Sequence, residues 1–102
     1  MSLDSVKAAI GPETRAIIAV HAVGNPVDMQ KLMEMVEFIN KGSAHKIYVI
    51  EDNCDGWGST IGNKRVGSFG DISFTSFHAA HIVSMGVGGG VYTNDSDIAL
   101  RV

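Results

Sequence analysis

Apolar residues at Leu3, Val6 and Ile10 recur at helical spacing, and Gly11-Pro12 closes the segment, so a short helix is expected at the start of the chain. Arg15-Ala-Ile-Ile-Ala-Val-His21 is a β-branched apolar run with little alternation. Such a run predicts a buried parallel strand. Met29, Leu32, Met33, Val36 and Ile39 then form a helical stripe. Asn25 is placed to cap that helix, with Pro26 in its first position and Asp28 three residues after the cap. Lys41-Gly42 supplies its stop. Ile47-Tyr-Val-Ile50 reads as a second buried strand and runs into Glu51-Asp52. Strand, helix, strand in this order is a βαβ unit, with parallel strands and a right-handed crossover.

Beyond Asp55 the chain turns glycine-rich, through Gly56, Gly58, Gly62, Gly67 and Gly70. This is loop, with a tight hairpin expected at Gly62-Asn63. Asp71-Ile-Ser-Phe-Thr-Ser-Phe77 alternates and predicts a third strand, and Gly88-Gly-Gly-Val-Tyr-Thr93 a fourth. Asn94 or Asp95 caps a helix that has barely begun by Val102. Strands apolar on both faces need a layer on each side, yet only one full crossover helix is present. The chain is therefore expected to be a piece of a larger enzyme.

Composition narrows the classes. The 102 residues suit one small domain. Hydrophobic residues at 45% exclude disorder. Charged residues at 19%, against roughly 25% in an average domain, fit a chain that is mostly interior. Eight Lys and Arg against eleven Asp and Glu leave a net charge of −3 with no basic cluster. Nucleic acid and anionic membrane are therefore not expected partners. A single cysteine, Cys54, excludes an internal disulfide and a multi-cysteine zinc site, so a reducing, cytoplasmic setting is expected. No apolar run approaches the roughly 20 residues of a membrane span.

In open α/β sheets, ligands sit beyond the carboxyl ends of the strands. Asp52 and Asp55 follow the second strand and stand at such a place, although each also reads as a cap or turn former. Ser76, near the end of the third strand, could donate to a phosphate. His78 and His81 stand three apart, but no third ligand is evident and no metal is expected. His78 reads as a satisfied structural histidine. His81, among Ala79, Ala80 and Ile82, is suited to acid–base work. Gly86-Val-Gly-Gly-Gly90 lacks the lysine of a P-loop and the spacing of a dinucleotide fingerprint. It reads better as a close approach of backbones. Cys54 reads as a small buried residue, and Trp57 and Met85 as packing residues.

Six segments, in order, resemble the DegT/DnrJ/StrS family of sugar aminotransferases. They are Thr14-Arg-Ala-Ile-Ile18, His21 with Gly24-Asn-Pro-Val-Asp28, Ile50-Glu-Asp-Asn-Cys-Asp55, Gly67-Ser-Phe-Gly-Asp-Ile72, Ser76-Phe-His78 and Gly88-Gly-Gly-Val-Tyr-Thr-Asn-Asp95. The resemblance implies a pyridoxal-phosphate enzyme of the aspartate-aminotransferase fold. Residues 1–102 would be part of its cofactor-binding large domain, truncated at both ends relative to the family. Its sheet would be mixed and mostly parallel, an α/β arrangement of one βαβ unit and two further strands.

In that family the serine of the Ser-Phe-His segment contacts the cofactor phosphate, and the lysine that holds the cofactor covalently follows five residues later. Here that residue is His81. The chain thus looks like the branch of nucleotide-sugar 3-dehydratases of deoxysugar and lipopolysaccharide biosynthesis. An imidazole cannot form the lysine's covalent bond. The resemblance implies instead a non-covalent pyridoxamine phosphate and loss of the 3-hydroxyl from a 4-keto-6-deoxy sugar. His81 would be the general base, Asp52 the partner of the pyridine nitrogen, Asp55 a neighbour of the ring and Ser76 the phosphate contact. A nucleotide-linked sugar and a second copy of the chain, as a homodimer, are the partners implied. Val87 and Ala79 depart from the family's usual glutamate and proline. The family's upstream glycine-serine phosphate loop and its downstream half lie outside these residues. Two rivals remain: a sugar aminotransferase relative that lost its lysine, and a non-catalytic domain that self-associates through exposed sheet edges.

Overall fold

The helical stripe lies where its spacing placed it. In the computed structural model, which describes all of residues 1–102, helix α2 spans Met29–Gly42 and buries Met29, Leu32 and Val36. These pack with Ile17, Ala19, Val27, Ile47 and Val49 into one core. The start of α2 differs from expectation. Asp28, not Asn25, is the cap, and its carboxylate accepts from the Lys31 N–H at 3.2 Å. The reason is tertiary. The Val27 N–H donates to Nδ1 of buried His21 at 3.2 Å, which holds the lead-in to the helix as extended chain.

Strand β1 (Ala16–Val20) precedes α2, and β2 (Tyr48–Asp52) follows it. They pair in parallel, which completes the βαβ unit. Helix α1 (Leu3–Ala9) leads in, and β3 (Thr60–Ile61) with β4 (Lys64–Arg65) forms the hairpin at Gly62-Asn63. Strand β5 (Ile72–Ser76) pairs in parallel with β2, and β6 (Gly89–Tyr92) runs antiparallel to β5. The sheet order is β1-β2-β5-β6, so the sheet is mixed and mostly parallel. Asp95 caps the short helix α3 (Ser96–Ala99). No helix is long and apolar enough to cross a membrane.

The strands are not buried on both faces. Along β1 burial alternates, with Ile17 and Ala19 inside while Ile18 and Val20 are 55% and 47% exposed. Helix α2 covers one face only, and the apolar character of the other face belongs to a layer these residues do not supply. Period-two alternation puts Ile18, Val20, Ile50, Asp52, Phe74 and Ser76 on that open face. Val20, Asp52 and Phe74 are neighbours in register across the three parallel strands.

On the covered face, Glu51 is fully buried and gathers four donors. His21 Nε2 lies 3.0 Å from its Oε2, which also accepts from the Gly67 N–H at 2.7 Å. Its Oε1 accepts from the N–H groups of Phe69 and Gly70 at 2.7 and 2.6 Å. Because Nδ1 of His21 accepts from Val27, its proton sits on Nε2 and is donated to the carboxylate. Burial pushes the Glu51 carboxyl up, but these hydrogen bonds outweigh burial and hold it below the usual carboxylate range. The wrapped turn demands Gly67, at φ +88°, where a Cβ would also meet the Asn53 amide at 2.8 Å.

Three outcomes follow for stability. Glu51→Ala orphans several buried donors and should cost about 3–5 kcal/mol in urea denaturation. The folded carboxyl lies below its unfolded value, so its contribution is complete above the ordinary carboxylate range and fades as pH falls through the folded value. Wild-type stability should therefore drop between about pH 5 and pH 3, and Glu51→Gln should flatten that acid limb. Asp28→Ala should cost about 1 kcal/mol, whereas Asn25→Ala should stay within about 0.5 kcal/mol, which identifies the working cap.

Candidate functional site

The carboxyl ends of β1, β2 and β5 point the same way, because the three strands are parallel. Each continues into a short loop that carries one of the candidate residues or its partner. Asp52 closes β2 on the open face, and one of its carboxylate oxygens accepts from the Cys54 N–H at 3.1 Å. Ser76 closes β5 on the same face, and its hydroxyl oxygen accepts from the His78 N–H at 3.2 Å. That leaves the Ser76 hydroxyl hydrogen available to donate.

Asp55 sits in the turn after β2 and links the other two loops. Its Oδ1 lies 3.1 Å from Nδ1 of His81, in the loop after β5. Its Oδ2 accepts from the Val23 N–H at 3.3 Å, in the loop after β1. The bond from His81 first, and that from Val23 second, holds the Asp55 carboxyl below the usual range. Val23 has φ +55°, the one non-glycine residue in the left-handed region. For a β-branched side chain that conformation is strained.

The loop after β5 closes on itself. Phe77 accepts from the Met85 N–H at 3.0 Å and donates to the Gly88 carbonyl at 2.9 Å. Gly89 then enters β6 with its α-carbon tight against β5, where a Cβ would stand 2.7 Å from the Thr75 carbonyl oxygen. Within the glycine run, Gly89 is thus a close approach of backbones, as the pattern implied, whereas Gly86 and Gly88 serve the turn at φ +90° and +150°. His78 is exposed, yet its ring is tied into the loop, in keeping with a structural histidine. Its Nδ1 accepts from the Ala80 N–H at 3.2 Å, and its ring meets that of His81 edge-on at 6.3 Å between centroids. Met85 is 67% exposed and is no core residue. Trp57 packs against Phe77 and Tyr92, with centroids 6.1 and 5.7 Å away. Burial, with Asp52 beside it, pushes the Cys54 thiol up, which removes it as a nucleophile near neutral pH.

Asp55 and His81 are therefore brought into contact, and Asp52 and Ser76 share a face. None of the four lines the cavity of about 680 Å³ that Trp57, Arg65, Tyr92 and Thr93 border. Sequence reasoning passed over Glu51 and His21 as a buried pair. The signal was present: Glu51 falls on the inward parity of β2, in step with Val49, where a lone charge requires partners.

This frame of parallel strand ends matches known proteins. The sequence profile of the DegT/DnrJ/EryC1/StrS aminotransferase family covers residues 1–102, and the chain belongs to that family. It is 38% identical over 96 residues to a dTDP-4-dehydro-2,6-dideoxy-D-glucose 3-dehydratase of Saccharopolyspora spinosa, spanning 94% of this chain and 20% of that protein. The sugar aminotransferase CalS13 of Micromonospora echinospora superposes with TM-score 0.91 at 37% identity, over 99% of this chain and 27% of that one. An E. coli GDP-4-keto-6-deoxy-D-mannose-3-dehydratase with bound hydrated PLP gives TM-score 0.80 at 30% identity, over 96% of this chain and 24% of that one. The chain thus spans about a quarter or less of these relatives. The fold is that of the pyridoxal-phosphate sugar aminotransferases, as expected.

The strain at Val23 is testable. Val23→Gly keeps the amide that faces Asp55 and should raise stability by about 0.5–1 kcal/mol, read as a higher urea midpoint.

Proposed function

We propose that these residues are the part of a longer nucleotide-sugar 3-dehydratase of deoxysugar biosynthesis that holds pyridoxamine phosphate and supplies the base. The observation that carries the reading is His81, five residues beyond Ser76, where an aminotransferase of this family has its lysine. No lysine follows Lys64 in the chain. The lysines nearest the sheet are engaged elsewhere, Lys46 with Asp71 and Lys64 over the Phe69 ring.

The residues fit the cofactor by the chemistry of their groups. The Asp52 carboxylate is an acceptor suited to a protonated ring nitrogen. Val20 and Phe74 flank it in register and offer apolar surface to an aromatic ring. The Ser76 hydroxyl has a hydrogen to donate to a phosphate oxygen. When bound, pyridoxamine phosphate supplies an amine for a sugar carbonyl and a ring that accepts electrons. The chain's own residues do the rest. Asp52 keeps the ring nitrogen protonated, Ser76 anchors the phosphate, and His81 takes a proton as general base. Asp55, expected beside the ring, has both oxygens occupied by Val23 and His81. A nucleotide-linked sugar is the substrate class in this reading. A second copy of the chain, seated where apolar residues are exposed, completes the assembly.

The likeness to CalS13 favours a second reading, an aminotransferase relative without its lysine. Absorbance titration with pyridoxal phosphate, on the wild type and on His81→Lys, tests the cofactor site that both readings share, and loss of the 3-hydroxyl in the full-length protein separates them. The expected outcome is saturable binding to both, with a borohydride-trappable adduct in the lysine variant only. In the full-length protein, His81→Asn should abolish pyridoxamine-dependent loss of the 3-hydroxyl. Turnover that survives this change overturns the dehydratase reading.

A further inference from the structure

We infer that Asp55 is a positioning residue for His81: its carboxylate fixes the imidazole as the Nδ1–H tautomer and leaves Nε2 as the basic nitrogen. The inference rests on His81 as the base in the proposed reaction. The geometry points to it from three sides.

An ionised carboxylate only accepts, so the 3.1 Å contact between Asp55 Oδ1 and His81 Nδ1 requires the hydrogen to sit on Nδ1. Nε2 then carries the lone pair. An imidazole free in water has no partner to choose its tautomer, so the neighbour on one nitrogen decides what the other can do. Asp55 is itself held. Its second oxygen accepts from the Val23 N–H at 3.3 Å, so the carboxylate cannot swing away without losing that bond. Val23 adopts a left-handed conformation that disfavours a valine. Such strain persists where the surroundings over-determine the backbone, and it concentrates at functional sites. The His81 ring also meets that of His78 edge-on, and Nδ1 of His78 is fixed by the Ala80 N–H.

The arrangement has a chemical consequence. A base that takes a proton at Nε2 becomes an imidazolium, and the Asp55 carboxylate stabilises that charge through Nδ1–H. No atom of Asp55 need touch the cofactor for this. The role differs from that of a ring neighbour, which the resemblance alone implied, and the two roles predict different losses on substitution.

The test is ¹⁵N-histidine NMR of the 102-residue chain, which has four histidines to resolve. The ring nitrogen shifts report which nitrogen carries the hydrogen. The expected result is Nδ1–H at His81 in the wild type and Nε2–H in Asp55→Ala. His21 should keep its Nε2–H in both, which shows that the fold is intact. An Nε2–H tautomer at His81 in the wild type overturns the proposal. So does a tautomer that Asp55→Ala leaves unchanged. A second arm uses the full-length protein. There Asp55→Ala should lower kcat about 100-fold while KM and cofactor affinity hold. Lost cofactor affinity with kcat intact would make Asp55 a ring contact instead. If His81→Asn leaves turnover unchanged, the base assignment fails and the role proposed for Asp55 in catalysis falls with it. The tautomer measurement still decides whether Asp55 sets the ring.

Discussion

A buried carboxylate organises this chain. Glu51 carries its charge into the covered face of the sheet, where an unpartnered ion would be prohibitive. It stays charged because donors from separate segments converge on it. His21 comes from the end of β1, and three backbone N–H groups come from the turn that feeds β5. One ion thereby sets the relation of β1, β2 and β5 at the ends where the candidate site lies. The reach extends further, because the other nitrogen of His21 holds Val27 and so determines where α2 begins. Asp52 is the next residue after Glu51, and strand alternation turns it to the opposite face. The inward carboxylate is structural, and the outward one accepts from the Cys54 N–H and faces the open side.

The two faces of the sheet divide the labour. One is closed by α2 and holds the core of Ile17, Ala19, Leu32, Val36 and Val49. The other exposes Ile18 and Val20 and presents Asp52 and Ser76 at the strand ends. Loops after the three parallel strands then meet through Asp55, which bonds Val23 on one side and His81 on the other.

The strand ends and the family were legible in advance, because two strong regularities located them. Ligands gather at carboxyl ends of parallel strands, and the order of six short segments carried a family pattern. What stayed hidden was pairing. Asp55 and His81 are 26 residues apart in the chain, and no local rule connects them. Asn25 and Pro26 make a sound helix start by local chemistry. A bond formed across the fold, Val27 to His21, moved the start to Asp28.

By itself the sequence determined the elements and their order: a stripe for α2, branched runs for β1 and β2, alternation for β5, and glycines where backbones touch or turn. These follow from periodicity and from steric limits that act within a few residues. Tertiary structure alone decided which face of each strand is covered, which acid is buried and which is presented, and which nitrogen of His21 bears its hydrogen. Those choices depend on partners brought together from distant positions, and a hydrogen bond has no existence until both of its groups are in place.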